Sequence, residues 1–545
     1  MKKIGLVIST FLLALFLVSC NKNKFYAKAE FDFTDGGRGN TEITFKLKLI
    51  DPDSQVQNRI YLSFKDKDNK EIYTNDFLAS ELKEKEFTIT GLKIQTKYTL
   101  IVTTTYNEKQ YTLLEKEIST NDEKEIDITT VEDFLAINEN RYATYNLKND
   151  IDFKDVDLEE IRKKSINNFS GIFNGNGFAI KNYHLQIERA GRSRYGLFGE
   201  LTSEAKINDL VIDNFQLTIK DDEYIETSRY IGVLFGDNNN NKVEVNNVTI
   251  KNSKIDLNFN TTSTTGTVTV GVLGGRAAGK YENITIENTD LNLNFKKIAN
   301  VYIGGVIGTT SSTEAKVSNI LADVNINVSV EQNEKDGLVG EGAALYVGGF
   351  IAETSAKDLT NAIINANINI NKLDFVMTKL GTKNDNKNRQ IDVFVGGLFA
   401  RLSSKAQNMI YSGNIELTQL NLLNKLTEEE NQEIKYKYLP KLRVAGLIAN
   451  SDNGIDALTK LIRSNSEIKL AVQDENTDAK HGLLVASGRL NTLLNNLPSY
   501  KEVGYFGTVN DTIFDETFII DEEIQKLNSL QSYFENISWI IDNLS

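Results

Sequence analysis

The 545-residue chain contains one cysteine, one tryptophan, two histidines and three prolines. With a single cysteine no internal disulfide can form, so stability has to come from packing and hydrogen bonds. The two histidines, His184 and His481, are far apart and sit in apolar, strand-like contexts. Each reads as an ordinary strand residue rather than a base or a metal ligand. Positive charge is also in deficit: 61 Lys+Arg face 75 Asp+Glu, a net charge of −14. Nucleic acid binds through clustered Lys and Arg, so it is not the expected partner. The length exceeds what one compact core can serve, which implies several domains or a solenoid.

The one long apolar run opens the chain. Lys2 and Lys3 precede an apolar stretch from Ile4 to Leu17, too short to span a bilayer comfortably. It ends in Leu17-Val18-Ser19-Cys20, which resembles the bacterial lipobox. The resemblance implies a signal peptide over 1–19, lipidation of Cys20 and a short lipidated linker over 20–24. A cysteine carrying more than one acyl chain, palmitate included, anchors stably to a membrane. Losing Lys2 and Lys3 takes the charge from −14 to −16. The expected location is the bacterial cell envelope, extracytoplasmic and surface-exposed. The competing reading is an uncleaved signal anchor with an incidental cysteine.

Residues 25–120 alternate apolar and polar positions with period two: Ile43, Phe45, Leu47, then Ile60, Leu62, Phe64, then Tyr98, Leu100, Val102. One buried and one wet face is the pattern of antiparallel strands, and about seven of them predict a small sandwich. Gly91-Leu92, Thr96 and Tyr98 resemble the E–F corner of a fibronectin type III domain. That resemblance implies a leucine plugging the core and a tyrosine hydroxyl bonded back to the corner. The strand-B tryptophan usual in the family is absent. Asp66-Lys67-Asp68-Asn69 lacks the glycine and distal glutamate of a calcium loop and reads as a hairpin turn.

Beyond 125 the chain repeats itself. Thr130 and Asp133 have capping-box spacing ahead of a short helix. YNLKNDIDF (145–153) and FSGIFNGNGFAIKNYHL (169–185) resemble the opening of GLUG-motif bacterial surface proteins. Glycine motifs such as VYIGGVIG follow, anchored at Gly196, Val233, Val272, Gly305, Gly349, Gly397, Gly446 and Gly482. Through Gly397 each is trailed by an asparagine opening an apolar run: Asn208, Asn247, Asn283, Asn319, Asn361 and Asn408. A third alternating segment closes each repeat. The expectation is three short strands per coil over 125–510, with glycine permitting positive φ and close approach, asparagine tolerating the left-handed region at a corner, and stacked asparagines forming ladders. Eight or nine such coils would make a rod roughly 40 Å long. The family resemblance implies a right-handed parallel β-helix. Residues 511–545 turn to helical spacing (Ile524, Leu527, Leu530, Phe534) and read as a C-terminal cap.

The fold class expected is therefore all-β: an immunoglobulin/fibronectin III-like sandwich, a parallel β-helix and a helical cap. Extra residues concentrate at 331–345, 371–391 and 418–440, the same corner of successive coils, and mark a candidate binding edge. Solvated decoration is the plainer account of them. The one dense acidic run, 149–160, includes Asp150 and Asp152, which fall in the family opening motif and look structural. No cofactor, metal or catalytic residue is assigned. The function expected is a lipid-anchored, non-catalytic adhesin or scaffold for a glycan or extracellular protein. The alternatives are a polysaccharide-degrading β-helix enzyme, favoured by acids clustered on neighbouring coils, or a structural envelope component. Ligand identity and oligomeric state stay open.

Overall fold

The computed structural model describes residues 25–488, 503–509 and 512–514, except 40, 58, 84, 94–95, 121–124, 189–192, 222–227, 260–265, 297–299, 332–337, 340–342, 380–390, 425–440, 452–457, 471–477 and 483–484. Cys20, the leader, the linker and nearly all of the C-terminal cap lie outside the described residues. So do most of the three long insertions. The chain divides into two compact units, Met1–Lys124 and Glu125–Ser545.

In the first unit, strands β1 (Lys28–Arg38), β2 (Ile43–Ile50) and β5 (Glu86–Ile89) form one antiparallel sheet in the order β1-β2-β5. Strands β3 (Arg59–Lys65), β4 (Glu71–Leu78), β6 (Lys97–Tyr106) and β7 (Lys109–Ser119) form the other, ordered β4-β3-β6-β7. Inward residues of both sheets share one core, among them Phe45, Phe64 and Leu100, all 0% exposed. Phe45 of β2 packs between Phe31 and Phe87, with centroids 5.0 and 5.5 Å away. The corner has the expected chemistry. Leu92 is buried, and the Lys93 N–H donates to the Tyr98 hydroxyl at 2.8 Å. In the β3–β4 turn the Asp66 carboxylate accepts from the N–H groups of Asp68 and Lys70, both at 2.9 Å, as a hairpin turn requires.

The second unit is a parallel β-helix. It begins with β8 (Glu125–Ile128) and β9 (Thr144–Leu147), joined through helix α1 (Val131–Leu135). Thr130 and Asp133 cap α1 reciprocally. Phe134 of α1 is fully buried against Phe153, Phe173 and Tyr183 in edge-on contacts. A second helix, α2 (Leu158–Lys164), is capped by Asp157, which accepts from two N–H groups of its first turn. Above this the coils stack into one twenty-stranded, one nine-stranded and one eight-stranded sheet. Nearly every pairing is parallel, the exception being Thr512–Phe514, which turns back antiparallel on Val503–Val509.

Three sequence expectations need correcting. The glycine motif is not one strand. In VYIGGVIG, Asn300–Gly304 belongs to the eight-stranded sheet and Ile307–Thr310 to the nine-stranded sheet, with the glycine pair at the bend between them. These glycines are required by close approach rather than by positive φ. A Cβ on Gly304 would strike the Ile307 carbonyl, and one on Gly305 would strike the Gly349 carbonyl of the next coil. Asparagine does hold left-handed corners, with φ between 54° and 58° at Asn247, Asn283, Asn319, Asn361 and Asn408. In the first of these coils Asp209, not Asn208, holds that corner, at φ 52°. Asp and Asn both tolerate the region, which is why sequence alone misplaced it. Finally, strand Asp358–Lys379 and strand Leu420–Asn424 extend the sheet into the insertions at 371–391 and 418–440.

Candidate functional site

The bend between the eight- and nine-stranded sheets brings two outward rows of side chains face to face. Parallel pairing stacks them rung on rung. From the eight-stranded sheet come Tyr230, Thr269, Tyr302, Tyr346, Phe394 and Arg443. From the nine-stranded sheet come Glu200, Asp237, Arg276, Thr309, Glu353 and Arg401. The rows touch: the Arg276 guanidinium lies 4.2 Å from the centre of the Tyr230 ring.

The lower part of the groove is a charge clamp. Asp237 is 0% exposed. Its Oδ1 accepts from Arg276 Nε at 2.7 Å, and its Oδ2 from Arg276 Nη2 at 2.8 Å and Arg194 Nε at 2.9 Å. Three coils are thereby tied through one carboxylate. Glu200, on the rung below, is 3.5 Å from Arg194, and burial pushes its carboxyl above the ordinary range. Acids on neighbouring coils do meet here. Asp237, however, has both oxygens engaged by guanidinium groups and no access to solvent, so it is a coil-to-coil tie rather than a nucleophile or base.

The middle of the groove differs in kind. Tyr346 and Phe394 stack with centroids 5.0 Å apart and an interplanar angle of 9°, and Tyr302 meets Tyr346 edge-on at 5.1 Å. These rings pack against Ala352, Ala400 and Ala449 as an apolar cluster separate from the main core. Beside them Arg401 Nη1 donates to Glu353 at 3.0 Å. Asp392 sits two residues before Phe394 on the same strand, one rung below Lys441. Its Oδ1 is buried and has no hydrogen-bond partner among the described residues. Burial pushes its carboxyl above the ordinary range, while Lys441, Arg443 and Arg401 pull the other way. Burial and the nearby carboxylates push the Tyr302 hydroxyl up to about 12.

The groove was not foreseen from sequence, although its signal is there. An aromatic residue stands two places before the glycine bend at Tyr230, Tyr302, Tyr346 and Phe394. Residues that were singled out from sequence lie elsewhere. Asp150 pairs with Lys181 at 2.5 Å and accepts from the Ala179 N–H, and Asp152 accepts from Asn182 at 2.7 Å. Both therefore hold the first coils together. His184 is half-buried with its Nε2 3.4 Å from the Thr218 hydroxyl, and burial lowers its pKa. Among the described residues no three His, Cys, Asp or Glu side chains are placed to hold a metal ion. No helix among them is long and apolar enough to cross a membrane.

The architecture defines the class: a parallel β-helix preceded by a two-sheet sandwich. No family model and no curated protein matches the chain. Among solved structures, the family 28 exopolygalacturonase of Yersinia enterocolitica is similar at 11% identity and a TM-score of 0.16. That alignment covers 89% of this chain and 99% of the other. It gives no residue of this chain a role.

Proposed function

We propose that this protein is a lipid-anchored, extracytoplasmic binding protein that holds a glycan or protein ligand in the groove between its two shorter sheets and does not turn it over. The observation that carries this reading is the cluster of Tyr302, Tyr346 and Phe394 with Glu353, Arg401 and Asp392 on one outward corner. Aromatic faces with a few convergent polar groups on a rigid scaffold are what small-ligand sites are made of. The chain order adds support, since the insertions at 331–345, 371–391 and 418–440 each precede a strand of this same sheet. The anchor rests on Leu17-Val18-Ser19-Cys20, and the glycine repeats keep their resemblance to GLUG-motif surface proteins.

Hydrolysis of a glycoside needs two reachable carboxylates. In the clamp only Glu200 is reachable, Asp237 being 0% exposed. The test has two parts. Metabolic labelling with a palmitate analogue should mark the wild-type protein and not Cys20→Ser. The leaderless Cys20→Ser protein should bind members of a glycan and matrix-protein array without releasing new sugar ends. Catalytic release of reducing or unsaturated ends would overturn the non-catalytic reading.

A further inference from the structure

Most of the groove's charged groups already have partners. Glu353 has Arg401, and Asp237 has two arginines. Asp392 differs. One of its carboxylate oxygens is buried without a hydrogen-bond donor among the described residues. Leaving a buried acceptor unmet is costly, so such an atom calls for a donor that arrives from outside. Three cations, Lys441, Arg443 and Arg401, act on this carboxylate from the next rung and the facing sheet. They keep a charge there tolerable, and they would repel an incoming amine. The donor is therefore an uncharged group, and hydroxyl is the common one.

The surroundings narrow the ligand further. Tyr302 is partly exposed, whereas Tyr346 and Phe394 are each only 7% exposed. Tyr302 can thus present a ring edge or face to a ligand, and the other two back it. The three rungs span about 10 Å. That is about the length of one or two small rings. The Glu353–Arg401 pair, with 31% and 38% of the side chains exposed, adds an acceptor and donors at the same level.

Building on the binding role proposed above, we infer that Asp392, Tyr302 and the Glu353–Arg401 pair form a saccharide subsite. A sugar hydroxyl donates to Asp392 and the sugar ring packs on Tyr302.

The test uses the full chain without its leader, carrying Cys20→Ser, on an array of neutral and acidic oligosaccharides, with hits titrated calorimetrically. Asp392→Asn and Tyr302→Ala should each weaken saccharide binding at least tenfold. Lys206→Ala, on the long sheet, should leave it within twofold. Asp392→Asn is nearly isosteric, and thermal melting of each variant separates loss of binding from loss of fold. Saccharide binding that survives both groove substitutions would overturn the inference, as would no binding to any oligosaccharide on the array. If no saccharide binds but a purified matrix protein does so in a Tyr302-dependent way, the binding role stands and the sugar subsite falls. If neither binds, both fall.

Discussion

The left-handed asparagines offer the sharpest check on how this β-helix holds together. Asn319 has φ 58°, donates through Nδ2 to Asn283 at 3.0 Å and accepts from Asn361 at 3.0 Å. Asn319→Gly removes both side-chain hydrogen bonds but leaves the backbone at ease. On a partly exposed face two such bonds are worth about 1–2 kcal/mol together. Asn319→Ala loses the same bonds and also forces an alanine Cβ into the left-handed region, for about 1–2 kcal/mol more. The glycine variant should therefore cost about 1–2 kcal/mol and the alanine variant about 2–4. Urea unfolding followed by circular dichroism would read the totals. Hydrogen exchange should place the loss in strand Lys316–Glu331 and its neighbours, because coils contact only adjacent coils. If the two variants agree within about 0.3 kcal/mol, the corner conformation carries no weight and the reasoning fails.

Gly305→Ala points a methyl group at the Gly349 carbonyl, which is backbone and cannot swing aside, and should lower stability by about 1–3 kcal/mol or more in thermal melts. Tyr98→Phe removes the acceptor of the Lys93 N–H and should cost the sandwich about 1–2 kcal/mol, seen as earlier loss of exchange protection over residues 92–102. Asp392→Asn should raise stability at pH 7, because burial holds that carboxyl above its ordinary range in the folded state, against the opposing pull of Lys441, Arg443 and Arg401 and with Tyr302 and Tyr346 nearby. Such a group opposes folding once pH exceeds its folded value and is neutral below its unfolded value of about 3.9. Melting points should therefore separate at pH 7 and converge near pH 3, and a destabilised Asn variant at pH 7 would refute this.

How far the sequence spoke depended on whether the signal was local. The cap at Thr130 and Asp133, the corner at Tyr98 and the turn at Asp66 each lie within a few residues, and each has the geometry its residues imply. The glycine bend was harder, because apolar residues alternate on both sides of it and nothing in the period marks where one sheet ends. The groove was hardest. Tyr302, Tyr346 and Phe394 become neighbours only after 43 and 47 intervening residues are wound into coils of unequal length. The missing partner of Asp392 is a matter of packing and leaves no trace in sequence.

The amide ladders explain why the outward face of the long sheet differs from that corner. Among the described residues each ladder bond runs from an amide N–H on one coil to an oxygen on the coil before it, as from Asn369 to Asn327 and from Asn327 to Asn292. A chain of amides aligned head to tail leaves an N–H seeking an acceptor at its lower end, much as a helix does at its N-terminus. Aspartates supply that acceptor: Asn292 donates to Asp256, Asn325 to Asp290, Asn247 to Asp209 and Asn252 to Asp213. The outward amides of the long sheet are thus committed to one another, and the acids that start them are committed too. Among the described residues the glycine side shows no run of amides of that kind. Sequence there is free to place aromatic rings, an arginine–glutamate pair and one unmet carboxylate without weakening the stack, and that is where they are found.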